Sequence, residues 1–232
     1  MTIGGTQNIF PPAREPIVNY DWLDLASGAG YIQYDSYGSN DSTGNSYMLV
    51  ETRDAGDLKT VINYHTVGGV RITDSITHSG SVAHADFTKI IDIDWDSTEF
   101  QQPRIIKGRA YFRFYSCIVG TDAFEYYFIV RVRKWDGSTE TEVASVQSVT
   151  ETWVANQRNF YSLFLDISQT GYKKGDQLRI SIEGWAKRVS NNYSLSLAGD
   201  PTDSAADGAP SGVDFLVNET RIISAIPYKI DI

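Results

Sequence analysis

The stretch Arg221-Ile222-Ile223-Ser224-Ala225-Ile226-Pro227-Tyr228-Lys229-Ile230-Asp231-Ile232 alternates so regularly that it decides the fold class. Successive side chains of an extended strand point to opposite faces. Ile222, Ser224, Ile226, Tyr228, Ile230 and Ile232 therefore share one side, and Arg221, Ile223, Ala225, Pro227, Lys229 and Asp231 the other. An ending on Ile-Asp-Ile reads as chain tied into a sheet. Pro227 has no N–H to donate, so its position predicts a sheet edge or a bulge, where an unpaired stretch can meet another chain.

The same period runs through two long strand segments, 124–135 and 177–189. Phe128, Val130 and Val132 share a face opposite Tyr127, Ile129, Arg131, Arg133 and Trp135. Leu178, Ile180, Ile182 and Gly184 oppose Arg179, Ser181, Glu183 and Trp185. One dry face and one mixed face is the pattern of antiparallel sheets packed in pairs. Further strands are expected over 31–37, 46–53, 59–65, 70–76, 88–95, 105–119, 142–152, 159–167 and 193–197, with a turn at Asp136-Gly137-Ser138 and loops over 38–45 and 199–212. No segment of ten or more residues carries a helical stripe with start and stop signals. The expected fold is all-β, an antiparallel β-sandwich of jelly-roll-like form. Residues 17–232 form its single domain, and residues 1–16, with two glycines and three prolines around Ile9-Phe10, form an extended N-terminal arm.

Composition narrows the partners. The 232 residues include 20 Lys+Arg against 29 Asp+Glu, a net charge of −9 with no basic cluster, which disfavours nucleic acid. No apolar run reaches the roughly 18 residues that span a bilayer, so no membrane partner is expected. Met1–Gln7 is polar and uncharged, so no signal peptide is expected either. Cys117 is the one cysteine, lies in an apolar run and reads as a core thiol.

Motifs for chemistry are sparse. Asp92, Asp94 and Asp96 lie at strand spacing on one face and invite a calcium reading, but an EF-hand loop counted from Asp92 needs Gly and Glu where Ser97 and Pro103 stand. The simpler expectation is that Ile91, Ile93 and Trp95 are buried while the aspartates face solvent. His65, His78 and His84 lack metal-ligand spacing. Surface rings among Trp22, Trp135, Trp153, Trp185 and the 14 tyrosines would suit sugar stacking. No catalytic, cofactor-binding or metal residue is assigned, no cofactor is expected, and the chain is expected not to be an enzyme.

The stretch Lys174-Gly175-Asp176-Gln177-Leu178-Arg179-Ile180-Ser181-Ile182-Glu183-Gly184-Trp185, followed by Ile226-Pro227-Tyr228-Lys229-Ile230-Asp231-Ile232, resembles structural proteins of tailed bacteriophages, in particular β-sandwich capsid decoration or auxiliary proteins. The resemblance covers about the last 60 residues. It implies a virion component, made in the host cytoplasm, that binds the major capsid protein or a neighbouring virion protein as a homo-oligomer, for which a trimer is the expected symmetry. Ile9 and Phe10 of the arm, with Pro227 and Tyr228 at the expected edge, are the candidate assembly contacts. The alternatives are a carbohydrate-binding, receptor-recognising jelly roll and a tail or baseplate module.

Overall fold

The structure is a computed structural model that describes residues 29–41, 44–51, 76–79, 84–120, 124–152, 157–188, 193–197 and 222–229. These residues form twelve strands and no helix: β1 (Ala29–Asp41), β2 (Gly44–Glu51), β3 (Ile76–Ser79), β4 (His84–Asp96), β5 (Arg104–Gly120), β6 (Phe124–Trp135), β7 (Glu140–Gln147), β8 (Glu151–Thr152), β9 (Gln157–Tyr172), β10 (Gln177–Arg188), β11 (Tyr193–Leu197) and β12 (Ile223–Lys229).

Two antiparallel layers pack face to face. The first runs β9, β5, β12, β1, with β2 added beyond β1 and the β11–β3 pair added along the far half of β5. The second runs β4, β10, β6, β7, with short β8 beside β6. One parallel residue pair, Met48 with Asp96, joins β2 to β4 at the seam between layers. Setting aside the four added strands, the chain crosses between layers at every step except the β6–β7 hairpin, and the first strand lies beside the last. That is the double Greek key of a jelly roll, so the expected sandwich is the observed one.

The alternation read from the sequence sets the core. Phe128, Val130 and Val132 of β6, Leu178, Ile180 and Ile182 of β10, Ile91, Ile93 and Trp95 of β4, and Ile222, Ile226 and Tyr228 around β12 are all buried. Aromatic rings tie the layers together. Phe114 of β5 stacks on Tyr161 of β9 at 4.9 Å and meets Phe128 of β6 edge-on at 5.3 Å, geometries that the ring quadrupole favours. At the other end of the sandwich Phe100 meets Tyr172 at 5.3 Å, and the buried hydroxyls of Tyr34 and Tyr228 share a 2.8 Å hydrogen bond.

Three expectations change. The 38–45 stretch is the end of a hairpin rather than a loop. Gly38 pairs with Tyr47 and Asp41 with Gly44, because ladder hydrogen bonds need backbone groups and no apolar side chains. Pro227 does sit at a bulge, where the β12–β5 register slips between Ala225 and Tyr228, but β12 has β1 on one side and β5 on the other. Gly108, at φ +123°, holds a backbone conformation open to glycine, and a Cβ added there would meet the Pro227 ring at 3.4 Å. Pro227 and Tyr228 are buried, so neither offers an edge to another chain. Ile9 and Phe10 lie outside the described residues, as do the 59–65 strand and the 199–212 loop.

Candidate functional site

The two outer faces differ in kind. On the β4–β10–β6–β7 layer the outward residues are charged and matched to one another. Glu183, only 3% exposed, accepts from Arg131 Nε at 2.9 Å and Nη2 at 3.1 Å, from Arg133 at 3.3 Å and from the Trp185 indole at 3.0 Å, with Lys89 at 3.6 Å. Burial raises the Glu183 carboxyl pKa, but the bonds from Arg131 and Trp185 and the charge of Lys89 outweigh it and hold the group below the ordinary carboxylate range. Arg179 grips Asp96 through two bonds of 2.6 and 2.8 Å, reaches Glu140 at 2.8 Å, and lies 4.6 Å over the Trp135 ring. Asp94 accepts from Ser181 and lies 3.4 Å from Arg133.

The aspartates singled out in the sequence are therefore ion-paired rather than simply solvated. Cross-strand register explains two of them: Arg179 stands opposite Asp96, and Ser181 opposite Asp94, with Arg133 opposite Arg179 on the next strand, whereas Asp92 stands opposite Glu183 and is paired by Lys89 of its own strand at 2.5 Å. Among the described residues no three His, Cys, Asp or Glu side chains converge as a metal site. Trp135 and Trp185 are held inside this network, Trp185 stacked on Tyr127 at 6.1 Å, so neither ring is presented as a platform. Trp22, Trp153 and His65 lie outside the described residues; His78 stands on β3 and His84 at the start of β4.

The outer face of β5 and β9 is the opposite case. Phe160 and Phe164, 51% and 58% exposed, are two of the three exposed large hydrophobic residues described. In the ladder Phe164 stands beside Tyr111 and Phe160 beside Tyr115, with Arg113 beside Ser162 between them. Ring centroids are 5.2 Å apart in the first pair and 4.9 Å in the second. The Arg113 guanidinium lies 5.9 Å from the Tyr115 ring and 5.8 Å from Phe160. Arg109 and Asp166 close the row with a two-point ion pair at 2.8 and 3.1 Å, and Tyr31 donates to the Arg109 carbonyl at 2.9 Å. This aromatic row, fixed on two adjacent strands, is the candidate binding face.

A smaller polar cluster fills one end of the sandwich. Glu151 Oε2 accepts from the Tyr126 hydroxyl at 2.8 Å and from Asn159 at 2.6 Å, and Asn159 also contacts the Tyr126 hydroxyl. Burial pushes the neighbouring Tyr161 phenol up to about 12.

Sequence reasoning missed the aromatic row, although Phe160-Tyr161-Ser162-Leu163-Phe164-Leu165 carried a signal. A strand has only one core-facing side, so a run that is apolar at both parities places rings in solvent or against a partner.

No family model and no curated protein matches the chain. Among solved structures it is similar to an alpha-amino acid ester hydrolase at 10% identity, with a TM-score of 0.41, covering 60% of this chain and 26% of that one. It is also similar to an aminopeptidase from the marine sediment archaeon Thaumarchaeota archaeon, at 12% identity and a TM-score of 0.40, covering 61% and 26%. A CocE/NonD family hydrolase from Staphylococcus aureus matches at 9% identity and a TM-score of 0.37, covering 82% and 41%. The chain thus spans about a quarter of the length of the first two. That these neighbours are hydrolases overturns the expectation that the chain is not an enzyme. At these TM-scores the likeness does not carry their chemistry over.

Proposed function

We propose that the chain is an assembly module of a virion, a capsid decoration or auxiliary protein, which docks on the major capsid protein or a neighbouring virion protein through the outer face of β5 and β9. The observation that carries the docking is the exposed pair Phe160 and Phe164, each backed by a tyrosine on the next strand. Burying two such rings against a partner contributes about 1.5–3 kcal/mol each, and clustered aromatics beside an arginine are the usual centre of a binding surface. The virion setting rests on the resemblance of residues 174–185 and 226–232.

The test is co-sedimentation of the purified chain with stripped phage capsids. The intact chain binds saturably at a fixed ratio to capsid subunits. Phe160→Asp with Phe164→Asp weakens binding by roughly 100-fold with the fold intact, since both side chains face solvent. A chain starting at residue 17 measures the arm's share through Ile9 and Phe10. Undiminished binding by the Phe160/Phe164 double variant rejects the face.

A second reading has its own support. A flat row of rings on a sheet face, with Arg113 at its middle and the Arg109–Asp166 pair at one end, also fits stacking on sugar rings. A glycan array read with the same double variant separates the two.

A further inference from the structure

β9 is an edge strand: among the described residues its ladder partner is β5 alone. Its outward residues read Arg158, Phe160, Ser162, Phe164, Asp166. That row is a palindrome in chemical character, with opposite charges at its two ends, aromatic rings at its second and fourth places and a small hydroxyl at its centre. An isologous two-fold contact sets position i opposite position j and j opposite i, so such a row complements its own reverse.

We infer that two copies of this chain pair antiparallel through β9, about a two-fold axis at Ser162, joining their first layers into one continuous sheet. In that register Ser162 meets its own counterpart, Phe160 meets the second copy's Phe164, and Arg158 meets the second copy's Asp166. A shift by two residues in either direction breaks all three matches at once, setting ring against hydroxyl and charge against ring. Cross-strand aromatic and opposite-charge pairs are each favourable, and strand addition supplies ladder partners on the side of β9 that has none among the described residues.

The junction also changes the candidate site. Tyr115 and Phe160 of one copy run on into Phe164 and Tyr111 of the other, so two rows of two rings become two rows of four. Arg113 of each copy flanks the centre. The two-fold replaces the three-fold symmetry expected from the resemblance. It does not depend on the capsid reading, because the pairing needs only this chain and its test contains no capsid.

The test is cysteine cross-linking at the axis, with the parent chain and its Cys117 as control. Paired residues of an antiparallel ladder have Cα atoms roughly 4.5 or 5.5 Å apart, within the roughly 4.4–6.8 Å that a disulfide spans. Ser162→Cys forms a covalent dimer under mild oxidation. Ser168→Cys, about 40 Å from its counterpart in this register, does not. Sedimentation velocity of the unmodified parent gives a dimer, and Phe164→Asp weakens its self-association by roughly 100-fold. A parent that stays monomeric overturns the inference, as does cross-linking through residue 168 in preference to 162, or an oligomer that neither cysteine links.

Discussion

The outer faces of the two layers are built from the same kind of strand, yet one is closed on itself and the other is open. On β4, β10 and β6, each arginine that faces outward has an acidic partner, and Glu183 is nearly sealed beneath Arg131, Arg133 and Lys89. On β5 and β9 the outward groups are rings, and two of them stand more than half in water. The difference teaches where to look for function. A charged face that satisfies its own groups stabilises and orients its strands. Phenylalanines more than half exposed add little to the monomer beyond their contact with Tyr111 and Tyr115, and so point to a partner.

The largest effect comes from opening the closed face. Glu183→Ala leaves Arg131 and Arg133 crowded together with their shared acceptor gone, and removing one partner of a buried pair is strongly destabilising. Its expected cost is about 3 kcal/mol, read as a lower denaturant midpoint with an unchanged slope. The same substitution leaves the aromatic face and its partners untouched. Equal stability of parent and variant would show that the network is a surface decoration.

Acid sharpens the same point. The Glu183 carboxyl pKa is held below its unfolded value, so its contribution is complete above the ordinary glutamate pKa of about 4.3 and is lost as pH falls through the lower folded value. Parent and Glu183→Gln therefore differ in melting temperature at pH 7 by their full amount and converge as pH falls through the lowered folded value. A difference that grows on acidification would contradict the sign of the shift.

Much of this architecture was legible in the sequence, and the part that was not has a physical reason. Alternation marked the inward residues of β6, β10 and β12 because burial acts on each strand locally. It marked a bulge at Pro227 for the same reason, since the missing N–H is a property of one residue. Whether that bulge lies at an edge depends on which strands flank it, and β1 and β5 come from distant parts of the chain. The ion pairs of Asp94 and Asp96 were hidden likewise. Three aspartates at i, i+2 look like a site until register brings Arg179 and Ser181 opposite them. The candidate face needed the converse observation, that Phe160 and Phe164 fall on the side of β9 away from Tyr161 and Leu165.

Arg179 gives a middle-sized effect that separates charge from shape. Lysine keeps the charge but loses the two-point grip on Asp96 and the planar contact with Trp135. Arg179→Lys is expected to lower stability by about 1 kcal/mol, measured by the same denaturant titration. A variant as stable as the parent would mean that the position needs only a positive charge.

The smallest effect on stability belongs to the open face, and its smallness is the informative result. Phe160→Ser and Phe164→Ser each remove a ring that is more than half exposed, so the monomer is expected to change by less than about 0.5 kcal/mol. What the rings do lose is contact with Tyr115 and Tyr111 at 4.9 and 5.2 Å, and a polar side chain in their place is better solvated. Measured at concentrations where the parent is monomeric, a near-zero change says that the sandwich folds without these phenyl groups. Any loss of association or binding in the same variants is then a property of the face itself. A drop of 2 kcal/mol or more would instead make the rings part of the fold and dissolve the contrast between the two faces.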